Sequence, residues 1–283
     1  MKVKYINPYT DFGFKKLFGE EANKNLLIDF LNQLLPSYHQ IVNLTFMNSE
    51  RSGSSKIERK AIFDIHCENE KGERFIVEMQ KEKLKFFKDR AVFYTTFPIK
   101  EQAEQGEWNF KLMTIYCVAI LDFTFDDERK QKNYLSNVQL KDQFCQVFYD
   151  KLTYIFIEMP RFNKTEKELE THFDKWLYFL KNLENFEEIP AILQENVFLQ
   201  GFRTAEIANF NKKQLGEYEE SLMVYRDLKG VIDTSFEEGM EEGRKEGIDA
   251  GRKEMAKGLK QKGIELSIIA EISGFTLEEI KKL

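Results

Sequence analysis

The feature that most constrains the fold is a pair of alternating segments, residues 61–68 and 74–80, separated by Glu70-Lys71-Gly72. Apolar residues occupy every second position of both segments, and polar residues occupy the positions between them. Side chains on a β-strand point to opposite faces in turn, and a short polar connection containing Gly is typical of a hairpin turn. The pattern therefore predicts an antiparallel hairpin with one apolar face and one polar face.

The register of this hairpin is limited because both apolar sets must face the same core. A turn centred on Lys71 brings the apolar residues into three cross-strand pairs, Cys67 with Phe75, Ile65 with Val77, and Phe63 with Met79. The same register places Asp64 directly opposite Glu78, with Gln80 diagonal to Asp64. Opposed like charges destabilise a sheet, so this arrangement requires a counter-charge.

A hard divalent cation would supply that counter-charge. Mg²⁺ takes carboxylate oxygens, keeps several waters and leaves coordination positions for a phosphate. The alternative is an exposed sheet face on which solvated carboxylates lie in a register shifted by two residues. Periodicity does not distinguish the two interpretations.

The rest of the chain predicts an α/β fold. The expected elements are two helices within residues 11–35, separated near Gly19; a strand at 41–47; a helix at 83–105, bent or restarted at Pro98; strands at 113–121 and 153–159; and helices from residue 164 onward. Only three cysteines occur and no pair is close in sequence, so a disulfide framework is not expected. With a net charge of -6 and no apolar run of about 18 residues, we expect a cytoplasmic protein without a membrane span.

A glycine repeat marks the C-terminal part of the chain. Gly239, Gly243, Gly247 and Gly251 recur every four residues, and each costs a helix about 1 kcal/mol relative to Ala. We therefore expect a mobile arm or a close-packed homo-oligomer interface rather than a lone stable helix. Residues 267–283 resemble two helices of a helix-turn-helix, without an evident third helix. These features predict a domain at 1–215 and a helical tail at 216–283.

Asp64 followed by Glu78-Met79-Gln80 resembles the PD-(D/E)XK nuclease superfamily, in a variant where Gln replaces the motif Lys. More specifically, the chain resembles the Rpn-type recombination-promoting nucleases, also described as PD-(D/E)XK family transposases. The blocks that carry this resemblance keep the family's order: Asp11-Phe-Gly-Phe-Lys-Lys-Leu-Phe-Gly19, Phe63-Asp-Ile65, Ile76-Val-Glu-Met-Gln80, Arg90 with Tyr94, Glu158-Met-Pro-Arg-Phe162, Trp176-Leu-Tyr-Phe179, the Gly repeat, and Ile269 to Ile280.

The resemblance implies a restriction-endonuclease-like αβββαβ core with a helical C-terminal tail, and metal-dependent cleavage of DNA. Asp64 and Glu78 would hold Mg²⁺, which activates a water and shields charge on the scissile phosphate. Gln80 would be the third catalytic residue. A neutral amide orients water but offers no positive charge, so this departure leaves the electrostatic role unassigned. The candidates to supply the charge are Lys60, before the first strand, and Lys81 or Lys83, after Gln80.

Residues 81–100 carry six basic and two acidic side chains beside the predicted metal site. Such a patch suits a phosphate backbone, although a solvated helix face has the same composition. Arg90 and Tyr94 share one helix face, and the resemblance favours a position near the site. We expect Asp11 to cap the first helix rather than to join the site, and His66 to be a polar residue of the strand.

Two other functions remain open at this stage. A DNA-binding or assembly protein of the same fold, with little or no cleavage, is consistent with the missing motif Lys. An RNA-directed nuclease is the second alternative, because no residue in the pattern is specific for a 2′-hydroxyl.

Overall fold

The computed structural model describes residues 3–48, 50–51, 61–103, 109–125 and 133–283. These residues form two compact units, Met1–Tyr225 and Arg226–Leu283. The boundary that the sequence predicts between 215 and 216 stays a prediction. Among the described residues, no helix combines the length and the apolar character needed to cross a bilayer.

The first unit contains the strands of the described residues, with helices before, between and after them. The strands are β1 (Leu44–Phe46), β2 (Glu50–Arg51), β3 (Ala61–Ile62), β4 (Ile65–Asn69), β5 (Arg74–Gln80), β6 (Ile115–Leu121), β7 (Leu135–Lys141) and β8 (Val147–Glu158). The α-helices of the chain are α1 (Asp11–Phe18), α2 (Lys24–Asn32), α3 (Phe87–Lys100), α4 (His172–Asn182), α5 (Asn196–Ala205), α6 (Lys212–Gln261), α7 (Leu266–Ser273) and α8 (Leu277–Lys282). Short 3₁₀ turns lie at Glu21–Asn23, Ser37–His39, Met159–Arg161, Glu166–Glu168, Leu183–Asn185, Ala191–Leu193 and Ile207–Asn209.

Six strands form one mixed sheet in the order β1-β4-β5-β6-β8-β7. The neighbours β1, β4 and β5 are antiparallel, whereas β5, β6 and β8 run parallel. The parallel pair β5 and β6 is joined through α3, as a parallel connection requires. The succession α2, β1, β4, β5, α3, β6 confirms the predicted αβββαβ core.

The sheet is covered on both faces. One hydrophobic cluster joins alternate residues of β4, β5 and β6 to α1, α2, α4 and α5, while a second joins the intervening residues to α3. Every residue of β6 is buried, because a parallel central strand has no solvated face. The polar face of the predicted hairpin is therefore covered by a helix rather than exposed to water.

The predicted hairpin register is confirmed over β4 and β5, where Ile65 pairs with Val77 and Cys67 pairs with Phe75. The pairing of Phe63 with Met79 is wrong. The chain bends at Asp64, and β3 pairs instead with β2 in a separate two-stranded sheet. This bend turns Phe63 toward the α3 side of the sheet, into the cluster that contains Ile76 and Phe87.

Two expectations about local structure need correction. Thr10, not Asp11, caps α1, since its hydroxyl accepts a hydrogen bond from the Gly13 amide at 2.9 Å. The strand β7 was not predicted, because its apolar residues Val138 and Leu140 are about half exposed and give no clear alternation. It pairs antiparallel with β8, from Leu135 opposite Ile157 to Lys141 opposite Val147, and forms the edge of the sheet.

The start of α1 is held in place by several independent contacts. The Asn7 carbonyl accepts a hydrogen bond from the Thr10 hydroxyl at 2.8 Å, and the amide of Phe12 donates to the Ser221 hydroxyl of α6 at 3.1 Å. Gly13 packs so tightly that an added Cβ would lie 2.1 Å from the Asn7 carbonyl oxygen. These contacts fix the direction in which α1 presents its side chains.

The second unit contains a small core of its own. Ala256 of α6, Ile269 of α7 and Ile280 of α8 are buried together. Thr276 and Glu279 form a capping box at the start of α8, in which each side chain accepts a hydrogen bond from the other's backbone amide. The end of α6 therefore provides the third helix that the sequence pattern alone did not reveal.

Gly13→Ala should destabilise the protein by about 1–3 kcal/mol or more, because the new methyl group meets a fixed backbone carbonyl. Gly216→Ala is the matched control, since α6 leaves that position open and Ala is favoured over Gly in a helix by about 1 kcal/mol. Thermal unfolding of both variants measures the difference. Equal melting temperatures would contradict the tight packing of α1.

Candidate active site

An open cleft of about 740 Å³ lies where α1 faces the β4–β5 end of the sheet. Four parts of the first unit line it: α1 with the residues that follow it, the end of β1, the two hairpin strands with their flanks, and the first turns of α6. The lining residues, in the same order, are Asp11, Phe12, Lys15, Lys16, Gly19 and Glu20; Phe46 and Met47; Asp64, Ile65, His66 and Lys81; and Glu217, Glu220, Ser221 and Val224. The cleft is thus lined by acidic and basic side chains from distant parts of the sequence.

Asp64 stands at the bend between β3 and β4, where its carboxylate turns back onto the neighbouring strand. Oδ2 accepts a hydrogen bond from the backbone amide of Met79 at 2.8 Å. Burial raises the pKa of this carboxyl above its ordinary value, and the bond from Met79 opposes the rise. Asp64 therefore lies directly against the Glu78–Met79 peptide, although the paired register of β4 and β5 begins only at Ile65.

Glu78 points from β5 to the α3 side of the sheet and is only 5% exposed. Its pKa is raised to about 8, first by burial and then by the Asp64 charge, while the Arg90 charge opposes the rise. Oε1 is buried, and no described residue gives it a hydrogen bond. The alternative of a solvated pair of carboxylates is therefore wrong for Glu78.

Arg90 and Tyr94 lie next to Glu78 on one face of α3. The guanidinium Nη2 is 3.6 Å from Glu78 Oε2, and the guanidinium carbon stands 4.9 Å from the centre of the Tyr94 ring. Tyr94 in turn packs edge-on against Phe63, 5.1 Å between centroids. The displaced Phe63 thus supports the side chain on which Arg90 rests.

The other predicted site residues lie at the end of β5. Gln80 does not line the cleft, because its amide donates to the carbonyl of Glu82 at 3.0 Å. Lys81 does line it, and burial lowers the pKa of its ammonium group. Lys83 is exposed, and Lys60 lies outside the described residues.

Two cleft residues were missed or misassigned from the sequence. Asp11 and Lys15 of α1 line the cleft as an ion pair, with Lys15 Nζ 3.0 Å from Asp11 Oδ1. Their i, i+4 spacing was visible, but such pairs are common on solvated helices. His66 is buried and packs against Phe63 at 5.5 Å, rather than being a polar residue at an exposed edge.

The carboxylates of Asp64 and Glu78 fit a divalent cation. No cluster of three or more His, Cys, Asp or Glu side chains suited to a metal occurs among the described residues. Two carboxylates are nevertheless sufficient for Mg²⁺, which keeps several waters in its coordination shell. The buried Glu78 oxygen without a hydrogen-bond partner is an atom that such an ion would satisfy.

The six-stranded mixed sheet and the helices that cover it are consistent with a nuclease fold. A sequence profile of the PD-(D/E)XK nuclease family transposases matches residues 8–235, and the chain belongs to this family. Membership supports a nuclease related to mobile elements, implies a DNA substrate, and is typical of enzymes that use divalent metals. Neither the curated proteins nor the solved structures contain a match.

The raised pKa of Glu78 predicts how the stability of the metal-free protein depends on pH. The folded protein keeps a proton on Glu78 up to about pH 8, whereas the unfolded chain loses it near its ordinary pKa of about 4.5. This contribution to stability is complete below that ordinary value and is lost as pH rises through about 8. Glu78→Gln removes the ionisable group. The melting temperature of this variant, relative to that of the native protein, should therefore rise as the pH is raised from 5 to 9.

The melting temperatures of Glu78→Gln and of the native protein are measured in EDTA at each pH. Their difference removes the contribution of the other titrating groups. A difference that stays constant across this pH range would show that Glu78 is not held in a buried, charge-unfavourable environment.

Proposed function

We propose that this chain is a Mg²⁺-dependent endodeoxyribonuclease that serves recombination or mobile elements. The observation that carries the proposal is the hydrogen bond that holds Asp64 against the Glu78–Met79 peptide, together with a buried Glu78 oxygen to which no described residue gives a hydrogen bond. Family membership provides the independent support. The cytoplasmic location expected from the sequence stays a prediction.

Asp64 and Glu78 are the proposed metal ligands. Mg²⁺, when bound, would lower the pKa of a coordinated water and offset charge on the scissile phosphate. The hydrogen bond from Met79 fixes the orientation of Asp64, and Arg90 restrains the buried side chain of Glu78. Glu78 must release its proton to act as a ligand, so metal binding is expected to be tighter at higher pH.

The remaining predicted residues have supporting roles in the proposal. Gln80 would orient water or substrate by hydrogen bonding after its amide leaves the Glu82 carbonyl. The proposed contacts to DNA phosphates are Lys60, Lys81, Lys83, Arg90 and Tyr94. Lys81 has the strongest support because it lines the same cleft as Asp64.

A DNA-binding or assembly protein of this fold with little or no cleavage is the second candidate. It is favoured by the neutral Gln80, whose amide is bonded to its own chain, and by a Glu78 that is largely protonated at neutral pH without metal. An RNA-directed nuclease is the remaining alternative, and a parallel assay with RNA distinguishes it.

Cleavage of supercoiled plasmid in Mg²⁺, with EDTA as the blank, tests the proposed activity. Asp64→Asn and Glu78→Gln should abolish nicking because each removes a charged ligand, while affinity for DNA should stay largely intact. Gln80→Ala should reduce the rate less severely. Asp150→Asn is the matched control, since Asp150 is an exposed carboxylate on β8 far along the sheet.

Native protein that binds DNA but does not nick it in any divalent metal would support the non-cleaving alternative. Nicking by Asp64→Asn at the native rate would place the activity elsewhere.

Homo-oligomer formation through the glycine repeat stays a prediction. The four glycines lie in α6, and within the described residues nothing approaches to 4 Å of the position that a Cβ would occupy. If a second helix packs on them, Gly243→Leu combined with Gly247→Leu should lower the molar mass measured by light scattering. A monomeric native protein would contradict the prediction.

A further inference from the structure

The proposed reaction requires a positive charge that Gln80 does not supply. Hydrolysis adds the oxygen of water to phosphorus and breaks a P–O bond, giving a phosphate monoester and a hydroxyl group that takes up a proton. Negative charge on the non-bridging oxygens rises in the transition state, and fixed cations stabilise it. Because Gln80 is neutral and is bonded to the Glu82 carbonyl, the cation must come from elsewhere in the cleft.

Three lysines line the cleft among the described residues, Lys15, Lys16 and Lys81. Lys16 is less accessible to a ligand, because its ammonium group lies 3.0 Å from both carboxylate oxygens of Glu20 and its side chain is only 14% exposed. Lys81 is only partly exposed, so its ammonium group is less accessible to a phosphate in the cleft. Lys15 remains the accessible cation, with a side chain 44% exposed.

We propose that Lys15 is a catalytic residue that binds the scissile phosphate in the cleft, opposite Asp64. This inference rests on the proposed nuclease function and adds a residue to it. Lys15 is close enough to Asp64 and Lys81 that its charge lowers the pKa of both groups. Lys15 projects from α1, and it lines the same cleft as Asp64 and Lys81.

The ion pair with Asp11 does not explain Lys15 by itself. Exposed i, i+4 pairs contribute little to stability, and the Asp11 side chain is 55% exposed. The direction of Lys15 is set instead by the start of α1, which the Thr10 cap and the close contact at Gly13 hold in place. A rigid helix thus presents a weakly restrained ammonium group to the cleft.

The balance of charge in the cleft explains why Lys15 would be needed. The carboxylates that line it outnumber the ammonium groups, with Asp11, Glu20, Asp64, Glu217 and Glu220 against the three lysines. A DNA phosphate would meet net repulsion there without the metal ion. An incoming phosphate would compete with Asp11 for Lys15, so Asp11 restrains the lysine until substrate binds.

The rate of plasmid cleavage under single-turnover conditions in Mg²⁺ tests this role. Lys15→Ala should lower the rate by about 10²–10³-fold, and Lys15→Arg should recover part of the loss because it restores the charge. Lys16→Ala is the matched control on the same helix and should stay within about twofold of the native rate. All variants are first compared by melting temperature.

A binding measurement on a Glu78→Gln background keeps the test independent of cleavage. The affinity for a fluorescent duplex is measured at several salt concentrations, and Lys15→Ala should reduce the magnitude of the slope of log K against log salt by about 1. Asp11→Asn should tighten binding, because it releases Lys15. If Asp11 were instead a metal ligand, Asp11→Asn would abolish cleavage without tightening binding, which would overturn its restraining role.

The outcomes separate the two proposals. Native protein that never cleaves DNA overturns the nuclease function, whereas the salt slope still tests the phosphate contact of Lys15. Cleavage by Lys15→Ala at the native rate with an unchanged slope overturns the role of Lys15 while the nuclease function stands.

Discussion

The burial of Glu78 beside Asp64 is the electrostatic constraint on which the rest of the site depends. A carboxyl group that is 5% exposed and adjacent to another carboxyl resists ionisation, and its pKa rises to about 8. Among the described residues, the positive charge of Arg90 opposes this rise, whereas the amide of Met79 favours the charged form of Asp64. In the proposed function, a divalent ion bound by both carboxylates would offset this cost.

The two faces of the sheet serve this site in different ways. On one face, α3 covers Glu78 and brings Arg90 and Tyr94 against it, so the carboxyl group is kept out of water. On the other, α1 is packed by the large aromatic core and presents Asp11 and Lys15 to the cleft. Asp64 lies at the bend between β3 and β4. It lines the open cleft and also contacts β5, the strand that carries the buried Glu78.

The parts of the fold that follow from local periodicity could be predicted from the sequence. The pairing of Ile65 with Val77 needed only the alternation of apolar residues, since a shift of one residue would expose them all. The side of the sheet to which Phe63 points could not be predicted from this alternation. The chain bends at Asp64, and β3 pairs with β2, which lies outside the hairpin pattern in sequence. Lys15 was missed for a similar reason: its spacing from Asp11 describes a common helix pair, and only the tertiary structure brings it to Asp64.

A crystal structure of the protein soaked in Mn²⁺, with the ion located by its anomalous scattering, tests the central claim most directly. The account predicts one ion coordinated by an oxygen of Asp64 and an oxygen of Glu78, each at about 2.1–2.2 Å, with water in the other positions. An ion that contacts only one of these carboxylates, or carboxyl groups that remain more than about 8 Å apart in the presence of metal, would contradict it.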